Sequence, residues 1–241
     1  MQQKSFLKML DITKHKFYLV SLLKDIYSDI ELATALGFKG GSAQMLFYDL
    51  PRFSVDLDFN LLYKDKHTEV FNKIRSLLLN YGTIKDETEK HFGLLIVLDY
   101  GAFERNLKIG ISNREYPDSY EIKNYLGIPM NVMVKPDMFA HKLCALTDRN
   151  VLTNRDIFDT YFFMKQKTPV NKVIIEKRMG EDFFKYLDLC IARIEKARSL
   201  LSGLGELIDP VLKKFVKTRL KSETIQFLRM YGKFPLFSQE Q

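Results

Sequence analysis

Two carboxylates, Asp56 and Asp58, occupy alternate positions in the run Val55-Asp56-Leu57-Asp58-Phe59. Alternation is the period of a strand, so both acids leave one face and their apolar neighbours leave the other. Two carboxylates this close repel each other and are costly to keep ionised unless a cation shares them. Hard oxygen donors of this kind suit Mg²⁺, which is held by one or two carboxylates together with substrate phosphates. Upstream, Gly40-Gly41-Ser42 opens an apolar helical stretch that the turn Pro51-Arg52 closes. A glycine turn at a helix start presents free backbone N–H groups and the positive end of the helix dipole, a ready anion site. A phosphate cradle close to a metal-binding pair points to nucleotide chemistry. Each piece also has a plain structural reading, a Gly-Gly turn and an exposed strand face. The combination is rarer than either part.

Short elements must position these residues. Residues 5–27 carry a helical stripe that includes Phe6, Leu7, Met9, Leu19, Leu22, Leu23 and Ile26, expected to pack behind the site. Ser28 or Asp29 caps a short helix running to Leu36, with Gly37 as its stop. A strand at 38–39, a helix at 43–48 and a strand at 53–62 follow, then a helix at 66–81 ended by Gly82. Residues 84–92 are polar, and two strands at 93–98 and 107–112 pair through a turn near Tyr100-Gly101. A short strand at 132–135 precedes a helix that Pro136 starts, and another helix begins at Asn154. Beyond Lys165 the pattern is helical at 170–178, 182–201 and 209–231.

The pattern of Gly40-Gly41-Ser42, a short helix, and then Pro51-Arg52-Phe53-Ser54-Val55-Asp56-Leu57-Asp58-Phe59 resembles the AbiEii/AbiGii-type toxin nucleotidyltransferases of the DNA polymerase β-like superfamily. The likeness extends over residues 30–165 and recurs in Ser112-Asn113-Arg114-Glu115, in the Lys142-Leu143 helix, and in Arg155-Asp156 with Asp159 at the next helix start. It implies an α+β fold: a small mixed sheet of the polymerase β-like nucleotidyltransferase type, covering helices and a helical C-terminal part. It implies transfer of NMP from an NTP to RNA, particularly the tRNA 3′ end, with Mg²⁺ as cofactor. It also implies a toxin of a toxin–antitoxin or abortive-infection (phage-defence) system, neutralised by a separately encoded antitoxin. The expected nucleotide-binding residues are Gly40, Gly41, Ser42 and Arg52; the metal ligands are Asp56 and Asp58. Lys142 is expected as a point charge for a phosphate. Asp156 is expected to orient the attacking hydroxyl or to position Lys142. By itself Asp156 also reads as a dipole-complementing acid, with Asp159 pairing to Arg155 one turn back.

The sequence departs from the superfamily at one place. Many of its enzymes carry a third carboxylate on the strand beside D-x-D, and the matching position here is Gly110. Glu115 lies too far along to replace it, and Asp99 and Glu104 are weaker candidates.

Composition bounds the rest. The 241 residues, 46% hydrophobic and 13% aromatic, suffice for a packed core. Residues 166–241 hold 15 Lys and Arg against 9 Asp and Glu, which is +6 of the net +7. A basic C-terminal domain at 166–241 behind a near-neutral nucleotidyltransferase domain at 1–165 suits a polyanion such as tRNA, or is simply a solvated lysine-rich face. Tyr186, Phe215 and Phe227 are candidates for base stacking or for core. Cys144 and Cys190 read as free core thiols, no metal-ligand spacing of Cys and His appears, and no apolar run spans a bilayer. The expected location is cytoplasmic, with no membrane partner. Two further readings stay open: transfer to a protein such as the antitoxin, and a degenerate, non-catalytic binding module of the same fold.

Overall fold

The computed structural model describes residues 10–101, 105–198 and 201–238. Its contacts divide the chain into two units. The first comprises the described residues up to 49, 53–114 and 120–132; the second comprises 50–52, 115–119 and the chain from 133 onward. This division differs from the expected boundary after residue 165: the helices that carry Lys142 and Asp156 group with the C-terminal helices.

The first unit is built on a mixed sheet. Its strands are β1 (Leu36–Lys39), β2 (Asp56–Leu61), β3 (Thr83–Lys90), β4 (Gly93–Asp99), β5 (Leu107–Ser112), β6 (Tyr120–Tyr125) and β7 (Ile128–Met133), in the order β3-β4-β5-β2-β1-β7-β6. β1 runs antiparallel to β2, β2 parallel to β5, and β5 antiparallel to β4, as the expected pairing of the two strands required. Leu57 and Phe59 of β2 and Ile109 and Ile111 of β5 are buried, while Asp56, Asp58, Gly110 and Ser112 are partly exposed. One sheet face is thus core and the other is open, the alternation that antiparallel-rich sheets show.

Helix α1 (Ile12–Ser28) buries Leu19, Leu22, Leu23 and Ile26, and its Tyr27 ring lies 6.4 Å from Phe59. The expected start of this helix, with Phe6, Leu7 and Met9, lies outside the described residues. Asp29 caps α2 (Ile30–Ala35) through the backbone N–H groups of Glu31 and Leu32. Gly37 is not the stop signal of that helix. It lies inside β1, where the Tyr120 ring fills the space a Cβ would need. The glycine turn opens α3 (Gly40–Phe47), and α4 (His67–Leu79) buries Val70, Phe71, Ile74 and Leu78.

Two strands escaped the sequence reading, and both are at the sheet's edges. β3 is the polar run 83–90, whose charge is the usual protection of an edge. Its Glu87 accepts hydrogen bonds from Arg75 of α4. β6 follows the same rule, and Leu126 (φ 52°) and Gly127 (φ 82°) make the tight turn into β7.

The second unit is helical in its described residues: α5 (Lys135–Asp148), α6 (Asn154–Lys165), α7 (Lys172–Met179), α8 (Phe183–Glu195), α9 (Pro210–Thr218) and α10 (Leu220–Lys233). The segment expected as one helix at 209–231 breaks at Arg219 (φ −129°) into two. Tyr186 is fully buried and its hydroxyl donates to the Leu143 carbonyl at 2.9 Å, so it belongs to the core and not to a stacking surface. Phe215 and Phe227 flank Tyr161 at 5.0 and 5.6 Å between ring centres. Cys144 and Cys190 are free and buried, and burial pushes each thiol up to about 12.

Candidate active site

In the first unit the antiparallel pairing of β1 with β2 brings the glycine turn to the carboxylates. Lys39, the last residue of β1 and the N-cap of α3, stands opposite Asp58. Gly40 adopts φ +78°, a conformation that side chains rarely take. A Cβ there would lie 2.5 Å from Asp58 Oδ2, so only glycine lets the chain turn this close to the acid. α3 then begins with Gly41 and Ser42 in its first turn, where backbone N–H groups have no partner within the helix. Gly40 is thus partly exposed beside Asp58, while Gly41 and Ser42 are buried.

Ser42 is fully buried, and its hydroxyl donates to the Asp56 carbonyl. That hydroxyl was expected to hold phosphate; the structure spends it on tying α3 to the start of β2. His15 acts on the preceding residue. It is fully buried, its Nε2 donates to the Val55 carbonyl at 2.9 Å, and its Nδ1 lies 2.5 Å from the Tyr100 hydroxyl. Buried side chains thus hold the carbonyls of both Val55 and Asp56. His15 went unnoticed in the sequence, where a single histidine on an apolar helix carries no signal. Its partner carbonyl is 40 positions away.

The donor set of β2 fits a divalent cation of the Mg²⁺ kind. It offers two half-exposed carboxylates on one face, oxygen donors only, beside a helix start suited to phosphate. Among the described residues no group of three or more His, Cys, Asp or Glu is gathered for a metal. The chain supplies two acids, and phosphates and water are the remaining ligands such an ion takes. Gly110 stands directly opposite Asp58, and a Cβ on it would lie 3.2 Å from Asp58 Oδ1. The position that invites a third acid is therefore the one read from the sequence, and it is bare. Asp99 is paired with Lys85 at 2.5 Å, Glu115 belongs to the second unit, and Glu104 lies outside the described residues.

The remaining expected residues form a buried ionic cluster in the second unit. Asp159 of α6 is fully buried. Arg52 grips it from two nitrogens, Nε at 2.6 Å and Nη2 at 2.7 Å, and Lys142 Nζ of α5 lies 2.7 Å from its Oδ2. Burial by itself would raise the Asp159 carboxyl; the charges of Arg52 and Lys142 outweigh it and hold the group at about 2. Asp156 is also buried. Its Oδ2 accepts from the Thr153 hydroxyl at 2.5 Å, and Lys142 Nζ stands 3.4 Å from its Oδ1. Arg149 Nε lies 3.4 Å from Asp156 Oδ2. Arg52, expected to bind nucleotide, is instead 5% exposed and engaged with Asp159 across 107 positions of sequence. Asp159 itself pairs with Arg52 and Lys142, where the sequence suggested Arg155. The spacing of Asp156 and Asp159, one turn apart, was the signal that both acids serve one partner.

The chain also has relatives. Over residues 21–226 it matches the family described as nucleotidyl transferase AbiEii toxin, type IV TA system. Its fold is similar to that of JHP933 from Helicobacter pylori, with a TM-score of 0.59 and 21% identity over 94% of each chain. It is also similar to a candidate nucleotidyltransferase from H. pylori, with a TM-score of 0.58 and 21% identity over 93% of this chain and 96% of that one. No curated protein matches the sequence. No helix among the described residues is long and apolar enough to cross a membrane. The match spans the glycine turn, the paired aspartates and the ionic cluster alike: this chain belongs to the AbiEii nucleotidyltransferase toxin family of type IV toxin–antitoxin systems.

Proposed function

We propose that the chain transfers a nucleoside monophosphate from an NTP to the 3′ hydroxyl of an RNA, the tRNA 3′ end, as a cytoplasmic toxin countered by a separately encoded antitoxin. The observation that carries this reading is the approach of Gly40 to Asp58, which sets a helix N-terminus against a pair of carboxylates. The N–H groups of Gly41 and Ser42 receive the triphosphate. Asp56 and Asp58 hold the cation. A Mg²⁺ ion held there would offset the charge that builds at the α-phosphorus and on the leaving pyrophosphate. The acceptor hydroxyl gives its proton to solvent as its oxygen bonds to the α-phosphorus; the bond from the α-phosphorus to the α–β bridging oxygen breaks, and pyrophosphate leaves with that oxygen. In the second unit Lys142 supplies a point charge for a phosphate, and Asp156 and Asp159 fix its position.

Charge supports an RNA acceptor. Lys214, Lys217 and Arg219 are exposed on α9 and just beyond it, and a hollow beside them is lined by Arg198, Lys217, Arg219 and Lys221. Not all of this charge is available, because Lys221 Nζ donates to the carbonyl of Ala197 at 3.0 Å. The test is incorporation of each labelled NTP into RNA and into protein, with Mg²⁺ and with chelator. Label that ribonuclease removes supports the reading. Label on a ribonuclease-resistant polypeptide moves the acceptor to a protein. Gly110 favours one competing reading, a binding module without activity. Binding of NTP with no incorporation into either acceptor would establish that module.

A further inference from the structure

We infer that the open sheet face beside Asp58 is a subsite for a single unpaired nucleobase, with Phe92 and Arg114 as its stacking wall and Gly110 as its bare floor. The inference rests on nucleotidyl transfer at Asp56 and Asp58 and adds what the substrate does next to them. The strand register sets the layout. Asp58 stands opposite Gly110, and Gly110 stands opposite Leu95. Leu95 is 39% exposed although it lies in the interior of the sheet. Between a charged acid and an uncovered leucine there is thus one residue with no side chain. That is a flat strip on which a planar ring can lie against the sheet.

A wall stands where β4 begins and β5 ends, at the Gly93–Ser112 pair. Phe92, in the turn between β3 and β4, is 52% exposed, and the Arg114 guanidinium sits 4.5 Å from its ring centre. Asp58, Gly110, Leu95, Phe92 and Arg114 all line one hollow of about 330 Å³. The turn that carries Phe92 is pinned to the end of β5: Asn113 donates its backbone N–H to the Phe92 carbonyl at 3.2 Å and its side-chain amide to the His91 carbonyl at 3.1 Å. An exposed aromatic ring on a fixed turn loses little entropy on stacking. An aromatic ring and a guanidinium are the two groups on which proteins stack unpaired bases, and the guanidinium adds charge for the attached phosphate.

The base has two possible sources, the NTP and the 3′-terminal nucleotide of the RNA. The chain has no tryptophan, so Phe92→Trp introduces a single tryptophan at the wall, excitable apart from the tyrosines. Its emission should be quenched saturably on base binding. Quenching by an NTP assigns the subsite to the donor base. Quenching only by RNA with a single-stranded 3′ end assigns it to the acceptor. In parallel, Phe92→Ala should weaken binding of that same partner by roughly 5- to 150-fold, the worth of one base stack, and Phe92→Tyr should restore it. Inorganic tripolyphosphate, which has no base, should bind all three proteins equally. The inference is overturned if neither NTP nor RNA quenches the tryptophan, or if Phe92→Ala binds both as tightly as the natural chain. Asp58→Asn separates this from the transfer reading. Loss of incorporation in Asp58→Asn with no effect at Phe92 leaves transfer standing and removes the subsite. Base-dependent quenching with full incorporation in Asp58→Asn does the reverse.

Discussion

Gly40 touches the space that Asp58 occupies: a single methyl group on Gly40 would overlap the carboxylate, 2.5 Å from Oδ2 and 2.9 Å from Cβ. Helix start and acid cannot be moved apart by a side chain because there is none. Gly40→Ala should therefore cost stability of about 1–2 kcal/mol for the left-handed backbone alone. It should also lower NMP transfer far more than that, because Asp58 must rotate away. Thermal unfolding and incorporation kinetics on the one variant check this. Full activity at reduced stability would mean that the Asp58 position is immaterial.

Ser42 and Asp56 make a second test. Ser42→Ala leaves the Asp56 carbonyl without its hydroxyl donor in a buried place, so stability should fall by roughly 1–3 kcal/mol. Turnover should fall with it, through a displaced Asp56, while the KM for NTP stays near normal. A large rise in KM with unchanged stability would show instead that the hydroxyl contacts phosphate directly.

Arg52 and Asp159 are a buried pair, and removing one partner strands the other. Arg52→Ala should destabilise the chain by about 3–5 kcal/mol, measured by denaturant unfolding. The pair also gives a pH dependence. The Asp159 carboxyl is held at about 2 against an ordinary 3.8, so its contribution is complete above pH 4 and lost as pH falls toward 2. That contribution is about 2 kcal/mol. Asp159→Asn should reduce this acid-side loss, and an unchanged stability profile between pH 4 and pH 2 would contradict the assignment.

The acceptor is tested through salt. If the basic C-terminal helices bind RNA phosphates, affinity should fall steeply with salt on a log–log plot. Replacing Lys213, Lys214 and Lys217 together by Gln should flatten the slope and weaken RNA binding, with NTP binding unchanged. Equal RNA affinity and slope in the triple variant would make these lysines a solvated face.

Much of the first unit was legible in the sequence because its signals are local. The alternation around Asp56 and Asp58 is a strand, and the glycine turn before an apolar run is a helix start. Gly110 was found opposite the D-x-D strand by counting alternation, and the register agrees. What escaped depends on distant partners. His15 is explained by Val55 and Tyr100, and Arg52 by Asp159, none of them near in sequence. β3 hid because an edge strand needs no apolar face. Gly37 looked like a helix stop because the ring of Tyr120, which demands a glycine, lies more than eighty positions away.

We propose that the two aspartates of β2 hold a divalent cation for nucleotidyl transfer. The direct measurement is single-turnover incorporation of labelled NTP into tRNA by the natural chain, Asp56→Asn and Asp58→Asn, across a Mg²⁺ titration, with folding of each variant verified by thermal unfolding. The natural chain should give Mg²⁺-dependent label at the RNA 3′ end, and each folded variant at least ~100-fold less, the scale of losing electrostatic stabilisation at a developing charge. Undiminished transfer by folded Asp58→Asn, or transfer that persists in excess chelator, would contradict it.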